Sequence, residues 1–217
     1  MMKSNSNLIF KKVLCLAPHP DDAELSFSGT VKKNKKTRFD IYIMSMGNEH
    51  EKLAGDFRYR EIENFWKEYK CDNIKLINSN IPYVSTLSED AWITKIENEV
   101  NILDYDCVLI PPYEDFHWEH KIVNKVGSVL CRSSPISLIE YRTPSTKHEW
   151  APNMFVDIDK YFNFKAKCVE KCFKKQIDFG RDYFLKENLS LFCSDYLSSL
   201  RGLKHVEQFK IKLFFGG

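Results

Sequence analysis

The chain has 217 residues, 43% of them hydrophobic and 29% charged, a length and balance that suit one soluble α/β unit with a sizeable core. Its 32 Lys and Arg stand against 30 Asp and Glu, a net charge of +2, which gives no global bias toward nucleic acid or a membrane surface. Seven cysteines, an odd number with no Cys-x-x-Cys pair, argue against a disulfide framework and for a reducing compartment.

In chain order, the first apolar run is Leu8-Ile9-Phe10, too short for the core of a signal peptide. No stretch approaches the ~18 apolar residues of a membrane span, so the expectation is a cytoplasmic protein without a membrane anchor. Val13–Ala17 reads as a buried strand that stops at Pro18-His19-Pro20, and Asp22–Lys33 as the helix after it. The lysines at 32, 33, 35 and 36 then form a solvated helix end favoured by the helix dipole. Further strands are expected at Phe39–Met46, Ile74–Ile77, Cys107–Pro111, Ile136–Arg142 and Met154–Ile158. Helices are expected at Phe57–Lys70, Glu89–Leu103, His120–Cys131 and Tyr161–Phe179. The Leu-, Phe- and Tyr-rich stretch beyond Gly180 is expected to pack as helices and loops. Strands and helices taking turns imply an α/β fold: a single Rossmann-like domain over residues 1–217, its sheet mostly parallel with helices on both faces. Cys15 and Cys107, inside strand-like runs, read as small core residues.

Two segments carry chemistry. The first is His19-Pro20-Asp21-Asp22 after a strand's carboxyl end, where open α/β folds bind ligands. The second is Asp115-Phe116-His117-Trp118-Glu119-His120, also after a strand-like run. Brought together, His19, Asp22 and His120 make a set of two imidazoles and one carboxylate with open positions, which suits catalytic Zn²⁺ and equally Fe²⁺. Asp21, not needed as a ligand, is placed to act as the base that activates a water at the metal. His117, three residues before His120, lies on the same side and reaches the reacting group without being a ligand. The plainer roles are helix capping, by the Asp pair in one segment and by Asp115 and His117 in the other. His50, His148 and His205 have no comparable company and read as surface or satisfied core histidines.

His19-Pro20-Asp21-Asp22, followed by Gly29-Thr30 and later by His117-x-x-His120, resembles the PIG-L (LmbE-like) family of metal-dependent N-deacetylases. Arg58-x-x-Glu61, Trp150-x-Pro152-Asn153 leading into Phe155-Val156-Asp157-Ile158, Lys165, Arg201-Gly202 and Glu207-x-Phe209 extend the likeness in order, from about Lys12 to Lys212. The resemblance implies removal of the acetyl group from an N-acetylated amino sugar, in a GlcNAc-type glycoconjugate or a nucleotide-linked sugar, with no nucleic-acid partner. It implies His19, Asp22 and His120 as metal ligands, Asp21 as general base, and His117 as the group that stabilises or protonates the tetrahedral intermediate. It also implies Arg58 as a substrate contact, a fork able to pair with phosphate or carboxylate. The alternative for Arg58 is an intrahelical pair with Glu61.

Three departures bear on the site. Glu119 stands where the family has Asp, which leaves the orienting partner of His117 open; Ser28 replaces a glycine; and Cys172-Phe173-Lys174-Lys175-Gln176 replaces a His-x-Ser-Gln stretch. Glu24 matches a family variant, or simply favours a helix start. Trp92, Trp118 and Trp150 are candidates for stacking on a sugar, and Tyr141-Arg142-Thr143-Pro144 is a candidate pocket wall by position alone. The competing functions are a metal hydrolase of another class, such as a phosphoesterase, and a sugar-binding relative without catalysis.

Overall fold

The computed structural model describes residues 10–47 and 56–216. In chain order the elements are β1 (Lys12–Ala17), α1 (Asp22–Lys33), β2 (Arg38–Ile43), α2 (Asp56–Tyr69), β3 (Ile74–Asn78), α3 (Glu89–Glu99), β4 (Cys107–Ile110), α4 (Trp118–Leu130) and β5 (Ser137–Tyr141). There follow β6 (Met154–Asp157), α5 (Asp159–Cys172), α6 (Lys174–Asp178), α7 (Lys186–Phe192), α8 (Tyr196–Ser199) and β7 (Val206–Leu213). The strands form one seven-stranded sheet in the order β3-β2-β1-β4-β5-β7-β6. The pairs among β1 to β5 are parallel, and β7 runs antiparallel to both its neighbours.

Successive side chains of a strand point to opposite faces, so a strand covered on both sides is apolar throughout. In β1, Val13, Cys15 and Ala17 pack with α1, α2 and α5 on one face, through Leu25, Phe65 and Phe162, while Leu14 and Leu16 pack with α3 and α4 on the other, through Ile96 and Val126. Gly127 lets α4 lie close on the sheet: a Cβ there would come 2.4 Å from Ile110 Cγ2. The fold class expected from the sequence is thus the one observed. Among the described residues no helix is long and apolar enough to cross a membrane.

Four expectations are corrected. The stretch beyond Gly180 is not only helix and loop, because Val206–Leu213 forms β7 in the interior of the sheet, between β5 and β6. Its alternation was masked by Glu207, a buried carboxylate whose partner, Lys165, lies 42 positions away. The helix expected over Tyr161–Phe179 starts at Asp159 and breaks at Phe173 (φ −102°, ψ 25°) into α5 and α6. In addition, the helix expected to reach Leu103 stops at Glu99, where Val100 turns to extended backbone (φ −136°, ψ 131°). Lys32, expected at a solvated end, instead donates to the carbonyls of Tyr69 and Lys70 at the end of α2 (2.6 and 2.8 Å), capping a neighbouring helix. All seven cysteines are free.

Candidate metal centre

The chain runs outward from β1 through β2 and β3 on one side, and through β4 and β5 on the other. The carboxyl ends of β1 and β4 therefore lie side by side at a topological switch point, where a crevice opens above the sheet. The loop after β1 carries His19, Asp21 and Asp22, and the loop after β4 carries Asp115 and His117 and leads into the first turn of α4 with His120.

There His19 Nδ1 lies 3.3 Å from His120 Nε2 and 3.4 Å from Asp22 Oδ2, and His120 Nε2 lies 3.5 Å from Asp22 Oδ1. Ligand atoms at about 2.0–2.1 Å from a tetrahedral ion stand roughly 3.3 Å from one another. The two imidazole nitrogens stand at that spacing, the Asp22 carboxylate meets each of them with one of its oxygens, and this N, N, O chemistry suits zinc or iron. Each imidazole is also backed by a carboxylate on its other nitrogen. Glu119 Oε2 is 2.7 Å from His19 Nε2, and Asp115 Oδ2 is 3.1 Å from His120 Nδ1. An outer carboxylate hydrogen-bonded to the ring, as Glu119 is to His19, fixes ring orientation and strengthens ligand basicity in metal sites, while Asp115 supplies charge at ion-pair distance from His120. They are themselves held: Ser85 N–H donates to Glu119 Oε1 (2.9 Å), the Thr143 hydroxyl to Asp115 Oδ2 (2.6 Å), and His117 N–H to Asp115 Oδ1 (2.7 Å). The His117 ring stands beside this set, its centroid 4.5 Å from that of His19 and 4.8 Å from that of His120. Ring nitrogens of His19, His117 and His120 all lie within 4.8 Å of one another.

The two aspartates are driven apart electrostatically. Burial raises the Asp21 carboxyl above its ordinary range, the Arg58 guanidinium opposing it. For Asp22, burial acts upward too, but His120 and His19 prevail and hold it low. Burial likewise acts to lower His19, yet Asp22 and Glu119 bring it up to about 10, the signature of a niche that favours positive charge. Asp115, despite burial, is held down at about 2 by His120 and by the hydroxyls of Ser145 and Thr143.

The first loop is strained and clamped. Asp21 has φ +144°, a region that L-residues seldom occupy, at a cost of about 1–3 kcal/mol when the surroundings enforce it. Arg58 of α2 does the enforcing: its Nη2 donates to Asp21 Oδ2 (2.8 Å) and to the Pro20 carbonyl (3.1 Å), and its Nη1 to the Gly47 carbonyl (3.2 Å). Behind the loop, α1 is broken at Phe27 (φ −144°, ψ 19°). A buried pair bridges the break. Lys165 Nζ donates to the Leu25 carbonyl (2.5 Å) and to Glu207 Oε1 (2.6 Å), while Glu207 accepts the N–H groups of Gly29 (2.8 Å) and Thr30 (2.6 Å). Gly29 is required there, because a Cβ would lie 2.7 Å from Ile158 Cγ2 and 2.9 Å from Glu207 Oε1.

These side chains line a cavity of about 330 Å³. His19, Asp21, Asp22, Arg58, His117 and His120, the six residues singled out in the sequence, all border it, with Leu25, Pro144, Ser145, Arg181 and Tyr183 as further walls. Sequence reasoning missed Arg181 and Tyr183, which lie in the stretch expected only to pack. It also missed the roles of Asp115 and Glu119 behind the histidines. Glu119 contacts His19, not His117, so the Asp-to-Glu departure gives the carboxylate the reach to the opposite loop. Asp115 does cap the start of α4 through His117 N–H, so its capping and site roles coexist.

The Arg58 Nη atoms are engaged by the first loop; the Glu61 carboxylate accepts from Gln176 Nε2 (2.7 Å), outside the cavity lining, while the Arg58 charge still acts on it. Trp92 and Trp150 are buried, their Nε1 atoms donating to the Val84 carbonyl and to Glu140, so neither is a sugar platform. Trp118 is exposed but does not border the cavity. Glu24 is fully buried, raised by burial to about 8, and accepts from Trp66 Nε1. His148 is exposed, His205 pairs with Asp159, and His50 lies outside the described residues.

Comparison with known proteins gives the family and the fold. The chain is 26% identical over 172 residues to the uncharacterized deacetylase YaiS of Escherichia coli (strain K12), covering 74% of this chain and 90% of that protein. It is 27% identical over 187 residues to the diacetylchitobiose deacetylase of Thermococcus kodakarensis, covering 73% of this chain and 68% of that one. Among solved structures, the conserved protein TT1542 from Thermus thermophilus superposes with a TM-score of 0.75 at 20% identity, over 94% of this chain and 96% of that one. The family model described as PIG-L, GlcNAc-PI de-N-acetylase, matches residues 14–131, more than half the chain and both ligand loops, and the chain belongs to that family.

Proposed function

We propose that residues 1–217 act as one metal-dependent N-deacetylase domain that removes the acetyl group from an N-acetylglucosamine-type amino sugar. The observation that carries this reading is the convergence of His19 Nδ1, His120 Nε2 and the Asp22 carboxylate within 3.5 Å of one another, at the floor of a cavity that Asp21 and His117 also border. The family description and the name of the Thermococcus relative, which deacetylates diacetylchitobiose, support the substrate class.

His19, Asp22 and His120 would hold Zn²⁺ or Fe²⁺, which when bound supplies an acidified water and polarises the acetyl carbonyl. Asp21 takes the proton from the attacking water. Its burial beside the charged Asp22 raises its proton affinity toward that of an effective base, and Arg58 fixes its carboxylate against the cavity. As the C–O bond forms, His117 faces the acetyl group from the opposite loop and stabilises the oxyanion. As the C–N bond breaks, the same imidazole delivers a proton to the departing amine, leaving acetate and the free amino sugar. Arg58 reaches the cavity beside Asp21, so its contact with substrate is made next to the base.

The test is amine release from N,N′-diacetylchitobiose and simple N-acetylglucosaminides. Chelation should abolish it and Zn²⁺ or Fe²⁺ restore it. Asp21→Ala should lower kcat by roughly 10²–10⁴-fold with metal content unchanged. Turnover of Asp21→Ala at the wild-type rate would refute the base, and a metal-loaded protein inert toward every N-acetylglucosaminide would refute the reading.

A further inference from the structure

A second cavity of about 270 Å³ adjoins the first and shares three walls with it, Leu25, Pro144 and Tyr183. Ligand pockets span about 300–1,000 Å³, so the metal pocket alone is at the small end and the pair together is not. The far wall is built by Leu191 and Phe192 of α7 and by Arg142 just past β5, all beyond the 14–131 stretch that matches the family model.

Among the described residues Arg142 is the only charged one lining this second cavity. It is half-buried, its Nη1 donates to the Phe192 carbonyl (3.2 Å), and its guanidinium lies 5.2 Å from the Phe192 ring centroid. No described carboxylate comes within ion-pair distance of it; burial pulls its pKa down, opposed by the more distant charge of Asp195. A guanidinium does not give up its charge under ordinary conditions, so a half-buried one with no carboxylate in contact attracts an anion, and the planar fork suits a carboxylate or phosphate. Around it the lining is mostly apolar, with Asn188 and Tyr183 as polar members and Leu191 standing 70% exposed.

We infer that this cavity is the aglycone subsite: the group attached to the amino sugar passes Tyr183, lays an apolar or aromatic surface against Leu191, and presents a carboxylate or phosphate to Arg142. The inference rests on the deacetylase reading, with the acetamide in the first cavity and its aglycone in the second.

The experiment compares N-acetyl-β-glucosaminides with phenyl, 4-carboxyphenyl and 4-phosphophenyl aglycones, by amine release and by titration calorimetry. In the wild type, kcat/KM for a charged glycoside should exceed that for the phenyl glycoside by about tenfold, mostly through KM, and the larger gain names the anion. Arg142→Gln should bring the charged and neutral glycosides level. Leu191→Asp, a surface change that leaves folding intact, should reduce the same preference by placing a like charge at the mouth. A wild type indifferent to the charge, or an Arg142→Gln protein that keeps the preference, overturns the subsite. If no glycoside is deacetylated, the deacetylase reading falls and calorimetry judges the cavity. Tighter wild-type binding of the charged glycoside that Arg142→Gln removes supports the subsite, and equal binding in the wild type overturns it.

Discussion

The two loops that build the centre are held in opposite ways. The loop after β4 is secured locally: Asp115 caps the start of α4 through His117 N–H, takes the hydroxyl of Thr143 from the end of the next strand, and stands behind His120. The loop after β1 is secured from a distance. Its strained Asp21 is clamped by Arg58 from α2, its His19 is oriented by Glu119 across the crevice, and the broken helix behind it is mended by Lys165 and Glu207 from α5 and β7. A helix start positions side chains cheaply because its free N–H groups donate to a cap. Asp21, at positive φ and with no side-chain cap bond to α1, has no such local device and takes its support from remote residues.

This contrast can be broken in order of expected effect. Lys165→Met leaves Glu207 buried and unpaired, which should destabilise the protein by about 3–5 kcal/mol, a fall in Tm of roughly 10 °C or more by thermal melting. Metal affinity should fall with it, since the first loop loses its support; a melted-down protein that binds metal as tightly as wild type would show that the pair serves the fold alone. Glu119→Gln weakens the orientation of His19 and should lower metal affinity by about 10–100-fold, read by competition with a chromogenic chelator, with little change in Tm. An unchanged affinity would remove Glu119 from the account of the site.

Smaller effects sharpen the picture of local support. Thr143→Val removes the hydroxyl donor to Asp115 Oδ2 and should cost about 1–2 kcal/mol, measured by urea unfolding; a neutral result would mean that the remaining donors, the His117 N–H and the Ser145 hydroxyl, hold Asp115 without it. Glu61 is raised by burial to about 7 from its usual 4.5. Its folded form keeps the proton while the unfolded form has already lost it, so stability should decline as pH rises from 4.5 to 7. Glu61→Gln should flatten that decline by a few °C in Tm. A parallel pH profile in the variant would assign the slope to other groups.

How far the sequence could be read follows the same division. His19, Asp21, Asp22, His117 and His120 were legible because each lies a few positions beyond an apolar strand run, and chain proximity fixes where such residues stand relative to the sheet edge. Glu119 and Asp115 were visible as residues but not as orienters, because which imidazole each backs depends on the angle at which two loops meet. Glu207 disguised β7, since a buried charge inside a strand makes sense only once Lys165 is known to face it. Arg181 and Tyr183, which wall the first cavity, come from a segment whose periodicity speaks of packing and is silent on which side opens to solvent, whereas the place of Arg142 and Pro144 just past a strand's end already marks them as pocket wall.

The sequence alone determined the alternating α/β architecture, the parallel core strands and the two segments bearing ligand chemistry, because hydrophobic period and strand-end position are local properties of the chain. Only the tertiary structure decided that β7 enters the sheet antiparallel between β5 and β6, that Arg58 clamps Asp21, and that a second cavity lined by an arginine continues the first. Those features join residues tens to over a hundred positions apart, and such contacts are set by how layers pack, not by any pattern within a single element.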